Sequence, residues 1–176
     1  NKLESDKIQL PTKYFVFIGK NRHYKGVQYL FEAFKNTDMK CLIIGEGYKK
    51  YSKDENIKKN FTFIKSIDEK EKLKIISNSC GLLLPSINRA EAFGYVFLEA
   101  GINRKPSITC ELNTGTSCVV KHNYSGLVVE KKNSYELSKA CKKIFYDDSF
   151  SNFLGENAYK RVREKFLIST VNLKYY

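Results

Sequence analysis

The sequence has no apolar run of the length needed to cross a bilayer, which takes about 20 consecutive, mostly apolar residues. It also shows no secretory signal, because no basic start, apolar core and small-residue cleavage site follow one another. We therefore expect a cytoplasmic protein, at most peripheral at the inner face of a membrane. Because the first residue is Asn1 and not Met, we expect a fragment or a processed form of a longer protein.

The sequence also lacks the residue patterns typical of metal sites and of disulfide frameworks. None of the five cysteines forms a Cys-x-x-Cys pair and their number is odd, so we expect small core residues in a reducing compartment. Only two histidines are present, which argues against a zinc site. We expect His23 to be a loop residue and His122 to be structural. The cysteines are Cys41, Cys80, Cys110, Cys118 and Cys141.

Acidic residues are too few to balance the basic ones: 31 Lys and Arg face 19 Asp and Glu, a net charge of +12. Nucleic acid, an anionic membrane surface and phosphorylated ligands would all attract such a chain. The lysines are scattered in small groups such as Lys49-Lys50 and Lys131-Lys132, without the clustered basic face and interleaved aromatics that nucleic-acid binding favours. A solvated basic surface is the simplest explanation, and attraction to an anionic membrane comes next.

Hairpin signals such as Asn-Gly are also absent, and short apolar runs alternate with helical stretches along the chain. This alternation predicts an α/β domain with a Rossmann-like parallel sheet of about six strands and helices on both faces. The predicted strands are 14–18, 41–44, 61–64, 81–84, 106–110 and 126–129. We expect residues 1–13, which are polar and contain Pro11, to be a linker or domain junction before a domain of residues 14–176.

Several helix boundaries follow from capping residues and apolar periodicity. Apolar residues at helical spacing predict a first helix from Val27 to Asn36. Asp68 and Ser134 are predicted N-caps of two further helices. A last helix is predicted around Phe150 to Phe166. The stretch 113–117 is predicted to be a turn that would cap a short helix through Val119-Val120.

Lys20 and Lys25 lie five residues apart in the first predicted strand-to-helix loop. Ligands of open α/β sheets bind at that end of the strands, and the following helix offers free N–H groups and its positive dipole end. Two ammonium groups there suit a diphosphate. The alternative is that they are two ordinary surface lysines of a lysine-rich chain. The loop matches neither a dinucleotide-binding nor a Walker motif.

Two glutamates follow the fourth predicted strand. We expect Glu91 at the start of a helix and Glu99 about two turns further, which places them about 12 Å apart along its axis and within a quadrant of each other. Two carboxylates on one side of a helix at the ligand-binding edge suit a polar, extended ligand. The alternative is a pair of helix-surface glutamates, with Glu91 near the helix N-terminus.

These residues resemble a known family. Glu91 and Glu99, with seven residues between them and Phe93-Gly94 after the first, resemble the paired-glutamate signature of retaining glycosyltransferases of family 4. Gly19-Lys20 and Lys25-Gly26 stand where that family has Gly-Arg and Lys-Gly. The resemblance covers roughly residues 14–166. It implies the C-terminal, donor-binding half of the two-domain GT-B fold.

The resemblance also implies an activity and roles for the two glutamates. The activity is transfer of a hexose, with retention, from a nucleoside-diphosphate sugar to an acceptor hydroxyl, with no metal and no cofactor. Glu91 would be the catalytic residue near the donor sugar and the reacting centre. Glu99 would accept hydrogen bonds from the ribose hydroxyls, which suits an acceptor with two oxygens.

The remaining donor-binding residues are implied in the same way. Lys20 and Lys25 would hold the diphosphate. Lys20 replaces the usual Arg and lacks its bidentate fork, so Arg22 is an alternative. Backbone N–H groups of Phe93, Gly94 and Tyr95 would face the donor sugar or its phosphate, Lys65 would lie by the nucleobase, and Thr116 would contribute to phosphate binding or only to a helix cap.

The family's other half, an N-terminal domain with the acceptor site, is missing from this chain. We therefore expect the chain alone to bind nucleotide but to transfer little or no sugar. The stretches 89–94 and 114–117 resemble members that build bacterial surface polysaccharides such as lipopolysaccharide, mannosyltransferases among them. Two alternatives stay open: a sugar-nucleotide 2-epimerase of the same architecture, and a basic module that binds nucleic acid or anionic lipid.

Overall fold

The computed structural model describes residues 10–91 and 94–166. Six parallel strands form one sheet in the order β3-β2-β1-β4-β5-β6, which confirms the Rossmann-like prediction. The strands are β1 (Phe15–Ile18), β2 (Cys41–Ile44), β3 (Phe61–Ile64), β4 (Gly81–Leu84), β5 (Ser107–Cys110) and β6 (Gly126–Val129). The helices are α1 (Val27–Phe34), α2 (Glu55–Lys58), α3 (Glu69–Asn78), α4 (Val96–Ile102), α5 (Gly115–Val119), α6 (Ser134–Tyr146) and α7 (Asp148–Lys165).

The sheet is covered by helices, so its central strands are buried along their length. Every residue of β2, β4 and β5 is buried. On the helices, α1 packs against α6, and α4 packs against both α3 and α7. The predicted bounds of β2, β3, β4 and β6 agree with the structure, because each of these strands is a short, mostly apolar run.

The helix ends depend on individual caps. Asp68 is confirmed as the cap of α3, since its carboxylate accepts a hydrogen bond from the Glu71 N–H at 2.8 Å. Ser134 as the cap of α6 is wrong: the side chain of Asn133 accepts the Glu136 N–H at 3.0 Å, so Ser134 is the first helical residue. Asn and Ser cap equally well, and the sequence places them side by side.

Strand order reverses between β1 and β4, and this is where open α/β sheets bind ligands. The loops that leave these two strands touch each other. Gly26 has φ +71°, and a Cβ there would lie 1.9 Å from the Pro85 carbonyl oxygen. The Ile87 N–H also donates to the Tyr24 carbonyl at 2.8 Å. Glycine at position 26 therefore permits the close approach that forms the floor of the crevice.

Three further expectations concern composition. His122 is structural as predicted, because its Nδ1 accepts the Val128 N–H at 3.0 Å. Within residues 10–91 and 94–166, no helix is both long and apolar enough to pass through a membrane. The linker predicted at residues 1–13 falls mostly outside the described residues and stays a prediction.

All five cysteines are free, but they differ in exposure. Cys41, Cys110 and Cys141 are core residues as expected, and burial raises the pKa of the Cys110 thiol to about 12. Burial also raises the pKa of Cys80, which is partly buried. Cys118 is exposed, so it is not the core residue that was expected.

We predict that a thiol reagent modifies Cys118 first in the folded protein at pH 7.5. The three buried thiols are out of reach, and their raised pKa values leave almost no thiolate at that pH. The measurement is mass spectrometry after brief treatment with iodoacetamide. Unfolding in guanidinium is the control and should expose all five cysteines. Early modification of Cys110 in the folded protein would contradict the packing described above.

Candidate functional site

A buried ion pair joins the loop after β1 to the loop after β4. Lys25 Nζ lies 2.5 Å from Glu91 Oε2, and the two side chains are only 16% and 10% exposed. The Ser86 hydroxyl donates to the same carboxylate oxygen at 3.2 Å. Two charges removed from water in this way require each other, because either alone would be an uncompensated buried charge.

Glu91 is also held through its backbone. The Thr114 hydroxyl donates to the Glu91 carbonyl at 3.0 Å. It also lies 3.1 Å from the Thr116 hydroxyl, which is fully buried at the start of α5. The loops after β1, β4 and β5 therefore converge on Glu91. This brings together Lys25, Glu91 and Thr116, three residues predicted for the site.

The predicted position of Glu91 at the start of a helix is wrong. Helix α4 begins at Val96, and only Glu99 lies in it. Gly94, with φ +71°, adopts a left-handed conformation that a right-handed helix cannot include. Glu91 is drawn instead into the contacts with the neighbouring loops, so the spacing of about 12 Å along one helix axis does not apply.

Gly94 and Tyr95 lead into α4. A Cβ at Gly94 would lie 2.6 Å from the Phe97 ring, so the turn admits no larger residue without repacking. Tyr95 is the N-cap residue, and its side chain is 74% exposed. Phe93 lies outside the described residues. The predicted role of these three backbone N–H groups stays a prediction.

Glu99 belongs to a second charged cluster, between α3 and α4. Lys72 Nζ lies 2.9 Å from Glu99 Oε1 and 2.7 Å from Glu69 Oε1. Burial disfavours the charge of Lys72, but the hydrogen bonds that Lys72 donates to the two carboxylates outweigh this effect and raise the Lys72 pKa. The other carboxylate oxygen, Glu99 Oε2, is buried and has no hydrogen-bond partner among the residues that the structure describes.

Lys20 lies at the exposed rim of the site. Its amino group pairs with Glu46 at 3.1 Å, and the side chains are 67% and 53% exposed. The hydrogen bond from Lys20 lowers the pKa of Glu46. Arg22, the alternative residue, is also exposed. Lys20 therefore occupies a different environment from the enclosed Lys25, although both lie in one loop.

A cavity of about 340 Å³ opens at the carboxyl ends of β2 and β3. The Tyr48 hydroxyl donates to the Gly19 carbonyl at 3.0 Å, which ties this cavity to the first loop. Gly45, with φ +151°, permits the same approach, since a Cβ there would lie 2.1 Å from the Gly19 carbonyl oxygen. The lining residues are Gly45, Gly47, Tyr48, Lys49, Ser52, Phe63, Ile64 and Lys65.

The site includes residues to which sequence reasoning assigned no role. Ser86 and Thr114 hold Glu91, Tyr48 closes the cavity, and Lys72 holds Glu99. For Ser86, the sequence signal that indicates a place in the site is its position directly after Pro85, which follows β4. Lys72 carries none, because it is one of several lysines in a charged helix and its partner lies 27 residues further along the chain.

Comparison with known proteins adds to this geometry. The family model for glycosyl transferases group 1 matches residues 1–161. The chain is 31% identical to D-rhamnosyltransferase WbpZ of Pseudomonas aeruginosa, over 94% of this chain and 44% of that protein. It is 30% identical to O-antigen chain mannosyltransferase C of Escherichia coli, over 87% of this chain and 42% of that protein. It thus spans less than half the length of these curated relatives.

A solved structure shares the fold. The crystal structure of Anabaena Alr3699/HepE in complex with UDP matches with a TM-score of 0.80 at 18% identity. The match covers 93% of this chain and 48% of that chain. At this identity the likeness concerns the architecture alone.

We predict that the Lys25–Glu91 pair is strongly coupled in stability. Lys25→Met should lower the free energy of unfolding by about 3 kcal/mol, because Glu91 keeps its charge with only Ser86 as a partner. Glu91→Gln should also destabilise the protein. The double variant should recover much of the loss, since no buried charge is left. The measurement is urea unfolding of the three variants, and additive losses would contradict the coupling.

Proposed function

Because the chain belongs to the group 1 glycosyl transferases, we propose that it is the donor-binding half of an enzyme that transfers a hexose to an acceptor hydroxyl with retention. The observation that carries this proposal is the convergence of three loops on the Lys25–Glu91 pair at the switch point of the sheet. Since the chain spans less than half of its curated relatives, the acceptor site would lie in the remainder of the protein.

The diphosphate of the donor would bind at Lys25, with Lys20 at the rim. The Lys25 ammonium donates to Glu91, and phosphate oxygens would replace that carboxylate as acceptors. The exchange would leave the Glu91 carboxylate available to a hydroxyl of the donor sugar. Lys25 would then stabilise the charge that develops on the leaving diphosphate, which needs no metal.

The nucleoside would extend from the diphosphate towards β2 and β3. Glu99 would accept a hydrogen bond from the ribose, which would satisfy the oxygen that lacks a partner among the described residues. The cavity beside Lys65 has an apolar wall in Phe63 and Ile64 and suits a planar base. The HepE structure is a complex with UDP, which supports a nucleotide as the ligand of this fold.

We propose the synthesis of a bacterial surface polysaccharide as the setting. One relative is named for rhamnose and the other for mannose in the O-antigen chain, which supports a donor sugar of this kind. Contact with an anionic membrane stays a prediction. Lys139, Lys142 and Lys143, exposed on α6, are candidates for it.

We predict saturable binding of one of UDP, GDP or ADP to the purified chain at moderate salt, measured by calorimetric titration. Binding of one nucleotide would support the donor-site proposal and identify the base. No binding to a folded chain would require the same titration on the protein joined to its acceptor domain, and a second failure would overturn the proposal.

The alternatives make different predictions in the same assays. A 2-epimerase would isomerise a free sugar nucleotide without any acceptor. A basic binding module would bind DNA or anionic vesicles with a steep salt dependence and would not require Glu91 or Glu99.

Glu99→Ala should weaken binding of the nucleotide but leave binding of inorganic pyrophosphate unchanged, because pyrophosphate has no ribose. The loss should be roughly tenfold for a hydrogen bond to a charged group. Glu164→Ala, an exposed acidic position on α7, is the matched control. Equal losses for nucleotide and pyrophosphate would refute the ribose role of Glu99.

A further inference from the structure

Lys72 is an unusual residue for an exposed, charged helix. Helix α3 begins Glu-Lys-Glu-Lys, and its other lysines, Lys70 and Lys74, are exposed. Lys72 differs because its side chain is only 16% exposed. Its amino group lies between a carboxylate of its own helix, Glu69, and Glu99 of α4. An ammonium group withdrawn from water at this point costs free energy unless both carboxylates receive its hydrogen bonds.

The two contacts of Lys72 are not equivalent. Glu69 is 71% exposed and lies three residues earlier on the same helix, a pair of the kind that contributes little. Glu99 is only 27% exposed and belongs to a different helix. The Lys72–Glu99 contact therefore fixes the Glu99 side chain, whereas the Glu69 contact helps to hold Lys72 in place.

The consequence for Glu99 is that its two oxygens have different tasks. Oε1 accepts the hydrogen bond from Lys72 at 2.9 Å. Oε2 is buried and has no partner among the residues that the structure describes. A buried carboxylate oxygen in that condition indicates a hydrogen-bond donor that residues 10–91 and 94–166 do not supply.

We propose that Lys72 is a positioning residue that sets the selectivity of the site for a ribose over a deoxyribose. The inference rests on the proposed function, because it needs a nucleotide at Glu99. Lys72 holds Oε1 and so restrains the carboxylate, which leaves Oε2 as the acceptor for a hydroxyl of the sugar. Without Lys72 the Glu99 carboxylate would sample other rotamers. Ribose binding would then have to order the side chain, and this entropy cost would weaken the affinity for the ribonucleotide.

The test compares two variants of one helix. Lys72→Met and Lys74→Met each remove one positive charge from α3 and keep a long, unbranched side chain, but only the first loses a contact with Glu99. The ligands are UDP and GDP, their 2′,3′-dideoxy forms and inorganic pyrophosphate, titrated calorimetrically. Lys72→Met should reduce the preference for the ribonucleotide over its dideoxy form by roughly tenfold and leave pyrophosphate binding unchanged. Lys74→Met should change neither.

A conservative variant separates positioning from simple support of the fold. Lys72→Arg keeps a cation that reaches both carboxylates, so it should retain most of the preference for the ribonucleotide. If Lys72→Met does not fold, Lys72→Gln, which keeps hydrogen-bond donors without the charge, takes its place.

The outcomes distinguish failure of the Lys72 inference from failure of the proposed donor-binding function. If the unaltered protein binds a nucleotide, and Lys72→Met weakens ribonucleotide, dideoxynucleotide and pyrophosphate equally, Lys72 has only a structural role and the inference is overturned. If Lys72→Met matches Lys74→Met in every titration, the inference is overturned as well. If neither the unaltered chain nor the protein joined to its acceptor domain binds UDP, GDP or ADP, the proposed function fails and the Lys72 inference fails with it.

Discussion

The ion pair between Lys25 and Glu91 is the contact on which the arrangement of the site depends. The strands of the sheet bring two loops to the same crevice. A buried charge there would strongly destabilise the fold unless an opposite charge paired with it. Gly26 allows one loop to reach the Pro85 carbonyl, and Ser86 and Thr114 complete the bonding of Glu91. The positions of three loops are thus coupled through one carboxylate.

Pairing extends to the other charged residues of the site. Lys20 pairs with Glu46 and Lys72 with Glu99, so these two lysines, like Lys25, already have a carboxylate. The cations of these three pairs are therefore compensated within the protein. In the function proposed above, an anion would enter by exchange, taking the place of a carboxylate as the acceptor. The exchange would also release that carboxylate, so Lys25 would control when Glu91 is free to act.

Local sequence signals predicted the sheet well and the site less well, for one physical reason. The strands are short, mostly apolar runs whose burial requires no knowledge of their partners. The helical character of the segment after β4 predicts Glu91 at the start of a helix. What decides its conformation is Lys25, 66 residues earlier, and Thr114, 23 residues later. The role of Lys72 could not be predicted for the same reason, since nothing within α3 distinguishes it from Lys70 and Lys74.

The net charge of +12 needs a different explanation from the site. Since Lys20, Lys25 and Lys72 are each matched by a glutamate, they add nothing to the excess. The excess must come from elsewhere, and α6 is one source: it carries three exposed lysines and a single acidic residue, Glu136. Charge of that kind acts at a distance, by raising the local concentration of anionic ligands or surfaces. The net charge therefore bears on which ligands or surfaces the protein attracts at a distance. The paired residues of the crevice bear on which ligand would bind there.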